Sequence, residues 1–551
     1  MKRGFLLAIT FLLLFSLALV GCQANDGGSA KNEEKAGGSE EKGKEKDSAK
    51  GGEGQDLLVY GRGSDSVSLD PAVVTDGESL KVTKNIYDTL VDYGEQDTTI
   101  HEALATEWDV SDDGLTYTFK LREGVKFHDG TDFNADAVVK NFDRWMNAKD
   151  KNAFAYYASQ FGGFKGDKGH VIKEVKADGD YKVVIALNRP QAPFLQNIAM
   201  SPFGIISPAA LEKYGDKIGE NPVGTGPYAF KEWKRNETIT LTKNDNYWQE
   251  GAPKLNTLIF QVIPDNSARL TALKTGEIDL MDGVNPSDVA GVEKEDGLQI
   301  ILRPPMNVGY LGFNVEKKPF DDKKVRQALN HAVDKQALID AFYAGNADPA
   351  KNPMPDVIAG YNDKIDPYPY DVEKAKKLLA EAGFKDGFEM ELWAMPLPRD
   401  YMPEPQKIAE AIQADFEQVG VKAKIKTFEW ATYLDKVQKG EAPAFLLGWT
   451  GDNGDADNFI YVLLDKDAID SNNYSRYSND KLHDLLVKAQ SETDEAKRVA
   501  LYEEAQEIIH EDAPWIPLVY AKPALAAKDT LKDFKPHPTG SDRFTDVYFE
   551  K

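Results

Sequence analysis

The chain has 551 residues, with 66 Lys and Arg against 91 Asp and Glu, giving a net charge of -25. An acidic balance of this size argues against a nucleic-acid groove, and no Lys/Arg cluster interleaved with aromatics follows Arg3. At this length a single hydrophobic core is not the default, so two or more lobes are expected.

Lys2 and Arg3 precede an uncharged stretch over residues 4–21 that contains the run LLAITFLLLFSLALV and closes on Gly21. A basic start, an apolar core and a small residue at the end describe a secretory signal over residues 1–21. Leu19-Val20-Gly21-Cys22 resembles the bacterial lipobox, which implies a lipid on Cys22 and attachment to the membrane through it. The apolar stretch also approaches the lower length limit for a spanning helix. Both readings put the body on the extracytoplasmic side of the bacterial cell membrane.

Residues 22–55 alternate Lys and Glu among Gly and Ser, with almost nothing to bury, and are expected to be a disordered tether. About thirty flexible residues give a root-mean-square reach of about 30 Å, enough to hold a globular body clear of a bilayer. Cys22 is the only cysteine, so the body beyond it contains no internal disulfide.

Along the body, Leu115 to Leu121 alternates after the Asp113-Gly114 turn, and His128-Asp129-Gly130 follows, so this section reads as hairpins. Asn221 to Tyr228 contains Gly224, Thr225, Gly226 and Pro227. It lacks the Gly-Lys-Ser/Thr ending of a phosphate loop and reads as a structural turn whose glycines relieve tight backbone geometry. A strand around Tyr310 to Phe313 leads into a helix over residues 323–339, capped by Asp321 or Asp322. Ile408, Ile412, Phe416 and Val419 mark one face of a helix that Gly420 ends. Val421, Ala423 and Ile425 then alternate with lysines as a half-buried strand. A helix from Trp430 to Val437 and a strand from Ala444 to Trp449 complete a helix, strand, helix, strand order that points to α/β architecture. The polar residues beyond that last strand stand where such sheets bind ligands.

Chemistry-bearing motifs are sparse. The Asp452 to Asn458 run fails the EF-hand pattern, because Gly454, Ala456 and Asp457 fall at its third, fifth and sixth positions. His128 lacks metal-ligand spacing, and His331 on an amphipathic helix reads as a hydrogen-bonded structural residue. No Gly-x-Ser-x-Gly elbow is present. Catalysis is therefore weakly supported, and no cofactor or metal is expected.

Five segments carry a family resemblance: Glu102 to Trp108 with Ser111 to Phe119; Leu121 to Gly130; Val223 to Tyr228; Val325 to Leu329; and Gly448-Trp449-Thr450-Gly451-Asp452-Asn453-Gly454-Asp455. With these the chain resembles the peptide-binding lipoproteins of ABC importers, solute-binding protein family 5, and the last segment is most similar to the dipeptide binders. The resemblance implies a two-lobed α/β periplasmic-binding-protein-like fold with a hinge and an additional third domain. Carried onto this chain, residues 56–90, 215–305 and 525–551 form a discontinuous first lobe, 91–214 the additional domain, and 306–524 the second lobe.

It also implies capture of short peptides by a monomer that hands them to a membrane permease driven by separate ATPase subunits. Asp452 is expected to meet the ligand ammonium and Arg399, in Pro396 to Tyr401, its carboxylate. A dipeptide zwitterion bears both charges, and a guanidinium fork suits the carboxylate. Tyr401 and Trp449 would add walls or polar contacts, and Gly451 close backbone approach. Without the resemblance, Arg399 and Asp452 read as turn or cap residues, and Trp449 and Tyr401 equally as core. Longer peptides, haem, glutathione and nickel are the competing cargoes.

Overall fold

The computed structural model describes residues 56–551; the signal, Cys22 and the tether all lie outside the described residues. The first β-strand, Leu57–Arg62, pairs in parallel with Thr257–Val262 on one side and Leu280–Met281 on the other. It thereby sits inside a seven-stranded mixed sheet ordered Leu298–Leu302, Ala524–Lys528, Leu280–Met281, Leu57–Arg62, Thr257–Val262, Thr238–Lys243, Tyr228–Lys234. Leu58 and Tyr60, two residues apart, point to one face and meet Leu258, Phe260 and Phe544 in a common core.

Residues between the first strand and Tyr228 build a separate antiparallel sheet of four strands, Ala105–Val110, Thr116–Leu121, Lys182–Leu187 and Ile172–Ala177. The expected hairpin is there: Gly114 takes φ +66° in its turn, and Tyr117, Phe119 and Leu121 alternate inward. Helix Ala135–Met146 lays Val138, Phe142 and Trp145 into the same core.

The later part of the chain forms a six-stranded mixed sheet ordered Ala347–Pro349, Trp515–Ala521, Asn307–Phe313, Ala444–Thr450, Phe388–Trp393, Val421–Lys426. Helix Pro405–Gln418 ends before Gly420, which takes φ +83°, and Val421–Lys426 begins with buried and exposed residues in alternation. The α/β alternation expected here is present. The parallel pair Phe388–Trp393 and Val421–Lys426 is joined by that helix, while Asn307–Phe313 runs antiparallel to Ala444–Thr450.

Two local readings change. The helix expected over residues 323–339 is two helices, Lys323–Ala332 and Lys335–Phe342, because Asp334 caps the second by accepting from the Ala337 amide at 3.0 Å. Gly224 and Gly226 lie beside and at a bend over residues 225–227, and neither needs left-handed backbone. A Cβ on Gly224 would lie 2.1 Å from the Ile86 carbonyl oxygen, and one on Gly226 2.6 Å from the Ile86 carbonyl carbon, so glycine there permits close approach of two chain segments. No helix among the described residues is long and apolar enough to cross a membrane.

Candidate functional site

Strand Ala444–Thr450 lies near the middle of the six-stranded sheet, and its exit is fixed at every step. Gly451 donates its amide to the Met306 carbonyl at 2.8 Å. A Cβ on Gly451 would stand 2.6 Å from the Phe459 ring, so glycine here serves packing. The Asp452 amide donates to Asn458 Oδ1 at 3.0 Å, and Asn458 Nδ2 donates back to Asp452 Oδ2 at 3.2 Å. Trp449 Nε1 donates to the same Asn458 Oδ1 at 3.0 Å. One asparagine therefore orients both the indole and the carboxylate.

The rest of the loop is gripped from two directions. Asp455 caps helix Ala456–Leu464 and receives both arms of the Arg498 guanidinium at 2.7 Å. From the antiparallel region, Tyr93 Oη donates to the Asn453 carbonyl at 3.0 Å and Thr98 Oγ1 to that of Gly454 at 3.0 Å, while Asn453 Nδ2 donates to Asn197 Oδ1 at 2.7 Å.

Asp452 has no ion-pair partner among the described residues; Tyr156 Oη donates to it at 3.5 Å. Burial raises its carboxyl pKa, against the opposing pull of the Asn458 and Tyr156 hydrogen bonds. Asp457 is pushed up to about 7, by burial first and by the negative charge of Asp455 second. Trp449, Asp452 and Asp457 line one cavity of about 400 Å³ together with Gln160, Asn197 and Gln490.

Arg399 occupies a different setting. Its amide donates to the Met402 carbonyl at 3.0 Å and the Met402 amide returns a bond at 2.8 Å, closing a tight turn around Asp400 and Tyr401. Tyr401 anchors that turn inward. Its carbonyl accepts from Tyr343 Oη at 2.9 Å, and its ring presses on Gly448, where a Cβ would come within 2.3 Å. Tyr401 belongs to the core cluster, and burial pushes its hydroxyl pKa up to about 12. Arg399 and Asp400 are exposed. The guanidinium lies over the Trp430 ring at 5.3 Å and has no carboxylate partner among the described residues. Both residues face a cleft of about 660 Å³ whose other wall includes Lys81, Asp282 and Arg303.

Trp449 and Asp452 thus line one cavity, Arg399 lines another, and Tyr401 and Gly451 are buried in packing. Thr450 lines the Arg399 cleft while its neighbour Trp449 lines the other cavity, as the alternation of a strand requires. Sequence reasoning missed Asn458 and Tyr156. Asn458 lay within the loop already singled out, but nothing local announces its two-sided clamp; Tyr156 comes from a distant segment.

None of the seven histidines lines either cavity. Among the described residues, Asp465, Asp467 and His483 gather at metal-ligand spacing but line neither cavity, and His483 Nδ1 stands 3.1 Å from both Asp465 oxygens. His331 Nδ1 is 2.8 Å from the Pro369 carbonyl oxygen, a structural hydrogen bond.

Residues 99–471 match the family described as bacterial extracellular solute-binding proteins, family 5, middle region. The chain belongs to this family. It is 39% identical over 510 residues to the dipeptide-binding protein of Escherichia coli K12, covering 90% of this chain and 94% of that protein. It is 38% identical over 509 residues to heme-binding protein A of Haemophilus influenzae, covering 89% and 92%. Among solved structures it is similar to the periplasmic binding protein DppA from Helicobacter pylori in complex with the peptide STSA, with TM-score 0.72, 39% identity and coverage of 90% and 99%. As a family 5 protein it is an extracytoplasmic solute-binding protein that passes its cargo to an ABC transporter, and it is not an enzyme. Its two-lobed α/β architecture is that of periplasmic binding proteins.

Proposed function

We propose that this protein captures short peptides, dipeptides above all, with Asp452 taking the terminal ammonium and Arg399 the terminal carboxylate. The observation that carries this reading is a pair of opposite charges, each lining a cavity and each without an ion-pair partner among the described residues. A zwitterion supplies both missing partners at once. Leaving either charge desolvated and unpaired costs on the order of 2 to 5 kcal/mol, so a blocked or displaced terminus weakens binding sharply.

Both residues lie in the second lobe of this reading, so hinge closure acts by bringing the facing walls over them and excluding water from both charges. Trp449 would form a wall beside the ammonium end, and Tyr401 and Gly451 would act by holding Arg399 and Asp452 in place. Neither cavity is lined by histidine or cysteine, and Met306 is the one sulfur-bearing side chain at the Arg399 cleft, a sparse donor set that favours a peptide over a ligand held through iron or nickel.

The same reading includes a lipid on Cys22, a monomeric body on the tether, and a permease with its ATPase subunits as the acceptor. It also divides the body into a first lobe of residues 56–90, 215–305 and 525–551, an additional domain of 91–214 and a second lobe of 306–524. The separate cores of the three sheets support that division. Calorimetry with Ala-Ala and with its N-acetylated and C-amidated forms tests the charge pair. Each blocked form should bind about 30-fold more weakly or worse; equal affinity for all three overturns it.

A further inference from the structure

The cleft that holds Arg399 contains eight charged side chains, and six of them are matched. Lys81 bonds Glu78 at 2.9 Å and also Asp282. Arg269 stands 3.8 Å from Asp282. Arg303 forks onto Asp542 at 2.6 and 2.8 Å, and Lys522 donates to Asp348 at 2.8 Å. The two lining charges with no ion-pair partner among the described residues are consecutive: Arg399 and Asp400.

Asp400 is held where it stands. It occupies the turn closed by the two Arg399 to Met402 backbone bonds, next to Tyr401, whose ring is wedged against Gly448 and whose carbonyl is bonded by Tyr343. Its carboxylate is open to the water of the cleft, yet protein flanks it closely enough that desolvation raises its pKa, with the more distant Lys81 and Arg303 and the adjacent Arg399 pulling the other way and none of them within ion-pair distance. When the cleft closes on a ligand and water thins out, an unmatched carboxylate gains most from a cation brought by that ligand.

We propose that Asp400 makes the site selective for a basic side chain on the carboxyl-terminal residue of the peptide. This rests on the reading that Arg399 holds the terminal carboxylate. The side chain of that residue branches from the carbon bearing the carboxylate, so it is the part of the ligand that starts nearest to Asp400. A lysine or arginine stem is long and flexible enough to turn its charge onto the neighbouring carboxylate, whereas an acidic side chain in the same place meets repulsion.

Calorimetry with Ala-Ala, Ala-Lys, Lys-Ala and Ala-Glu, on the wild type and on Asp400→Asn, tests this. Ala-Lys should bind roughly fivefold or more tightly than Ala-Ala, Lys-Ala should not share the gain, and Ala-Glu should be weakest. In Asp400→Asn the ratio of Ala-Lys to Ala-Ala affinity should collapse toward one. The proposal is overturned if the wild type shows no preference, if Lys-Ala gains as much as Ala-Lys, or if the variant keeps the preference. Dipeptide binding without any preference leaves the charge-pair reading standing; binding of none of the four removes both.

Discussion

The loop carrying Asp452 and the turn carrying Arg399 are both fixed in their backbones, yet they present charge in opposite ways. Asp452 is oriented by Asn458, touched by Tyr156 and partly buried, so the folded protein bears the cost of desolvating it before any ligand arrives. Arg399 stands exposed over Trp430 on a turn anchored by its neighbour Tyr401. Its guanidinium stays hydrated, and ordering it is deferred to binding, at a cost of up to about 2 kcal/mol of side-chain entropy. One end of the proposed ruler is set in advance and sensitive to pH; the other is set on contact and is not.

The difference is most easily broken from behind the Asp452 loop. Arg498 holds buried Asp455 with two bonds of 2.7 Å, so Arg498→Met should destabilise the fold by about 3 to 5 kcal/mol in urea unfolding. Arg399→Met should stay within about 0.5 kcal/mol of wild type in the same measurement. Equal losses would mean that the Arg399 turn is as structural as the loop.

Binding separates the two ends next. Asp452→Asn should weaken dipeptide binding by about 30-fold or more while leaving the unfolding midpoint unchanged or raised, because a buried charge is removed. A clear drop in stability would assign the carboxylate a structural role instead. Arg399→Gln should lose about tenfold in affinity, less than Asp452→Asn, with no change in the midpoint.

Acidity gives the smallest and sharpest contrast. Because the Asp452 pKa is raised, its carboxylate is lost on acidification at higher pH than an ordinary aspartate, and affinity should fall with it. Arg399→Gln should keep this acid limb and Asp452→Asn should lose it. Stability runs the other way. The folded state holds the Asp457 proton up to about pH 7 while the unfolded state releases it near 4, so this contribution is full below about 4 and fades as pH rises through 7. Asp457→Asn should flatten that decline, as read from thermal midpoints between pH 5 and 8.

Local chemistry was legible wherever a short-range rule sufficed. Gly420 marked the end of helix Pro405–Gln418, and the lysines alternating with Val421, Ala423 and Ile425 marked the edge strand. Reading failed where competition between neighbours decided the outcome. The apolar spacing on either side of Asp334 looks continuous, but its carboxylate gains more by capping Lys335–Phe342 than the helix gains by running through. Gly224 and Gly226 mark tight backbone geometry in the sequence, but the Ile86 backbone that makes it tight lies far away in the chain. At the candidate site, Asp452 and Arg399 stand out only through the family resemblance, while Asn458, Tyr156 and the unmatched Asp400 become visible only with their surroundings.

The sequence by itself determined the single cysteine at position 22, the acidic excess, the hydrophobic periods and the family segments, since each is a property of composition or of residues within one turn or strand of each other. Tertiary structure alone decided that Leu57–Arg62 sits between Thr257–Val262 and Leu280–Met281, that Trp449 and Thr450 face different cavities, and which cleft charges remain without partners. Strand pairing and ion pairing join residues up to hundreds of positions apart, and no local period records which partner the closed chain will supply.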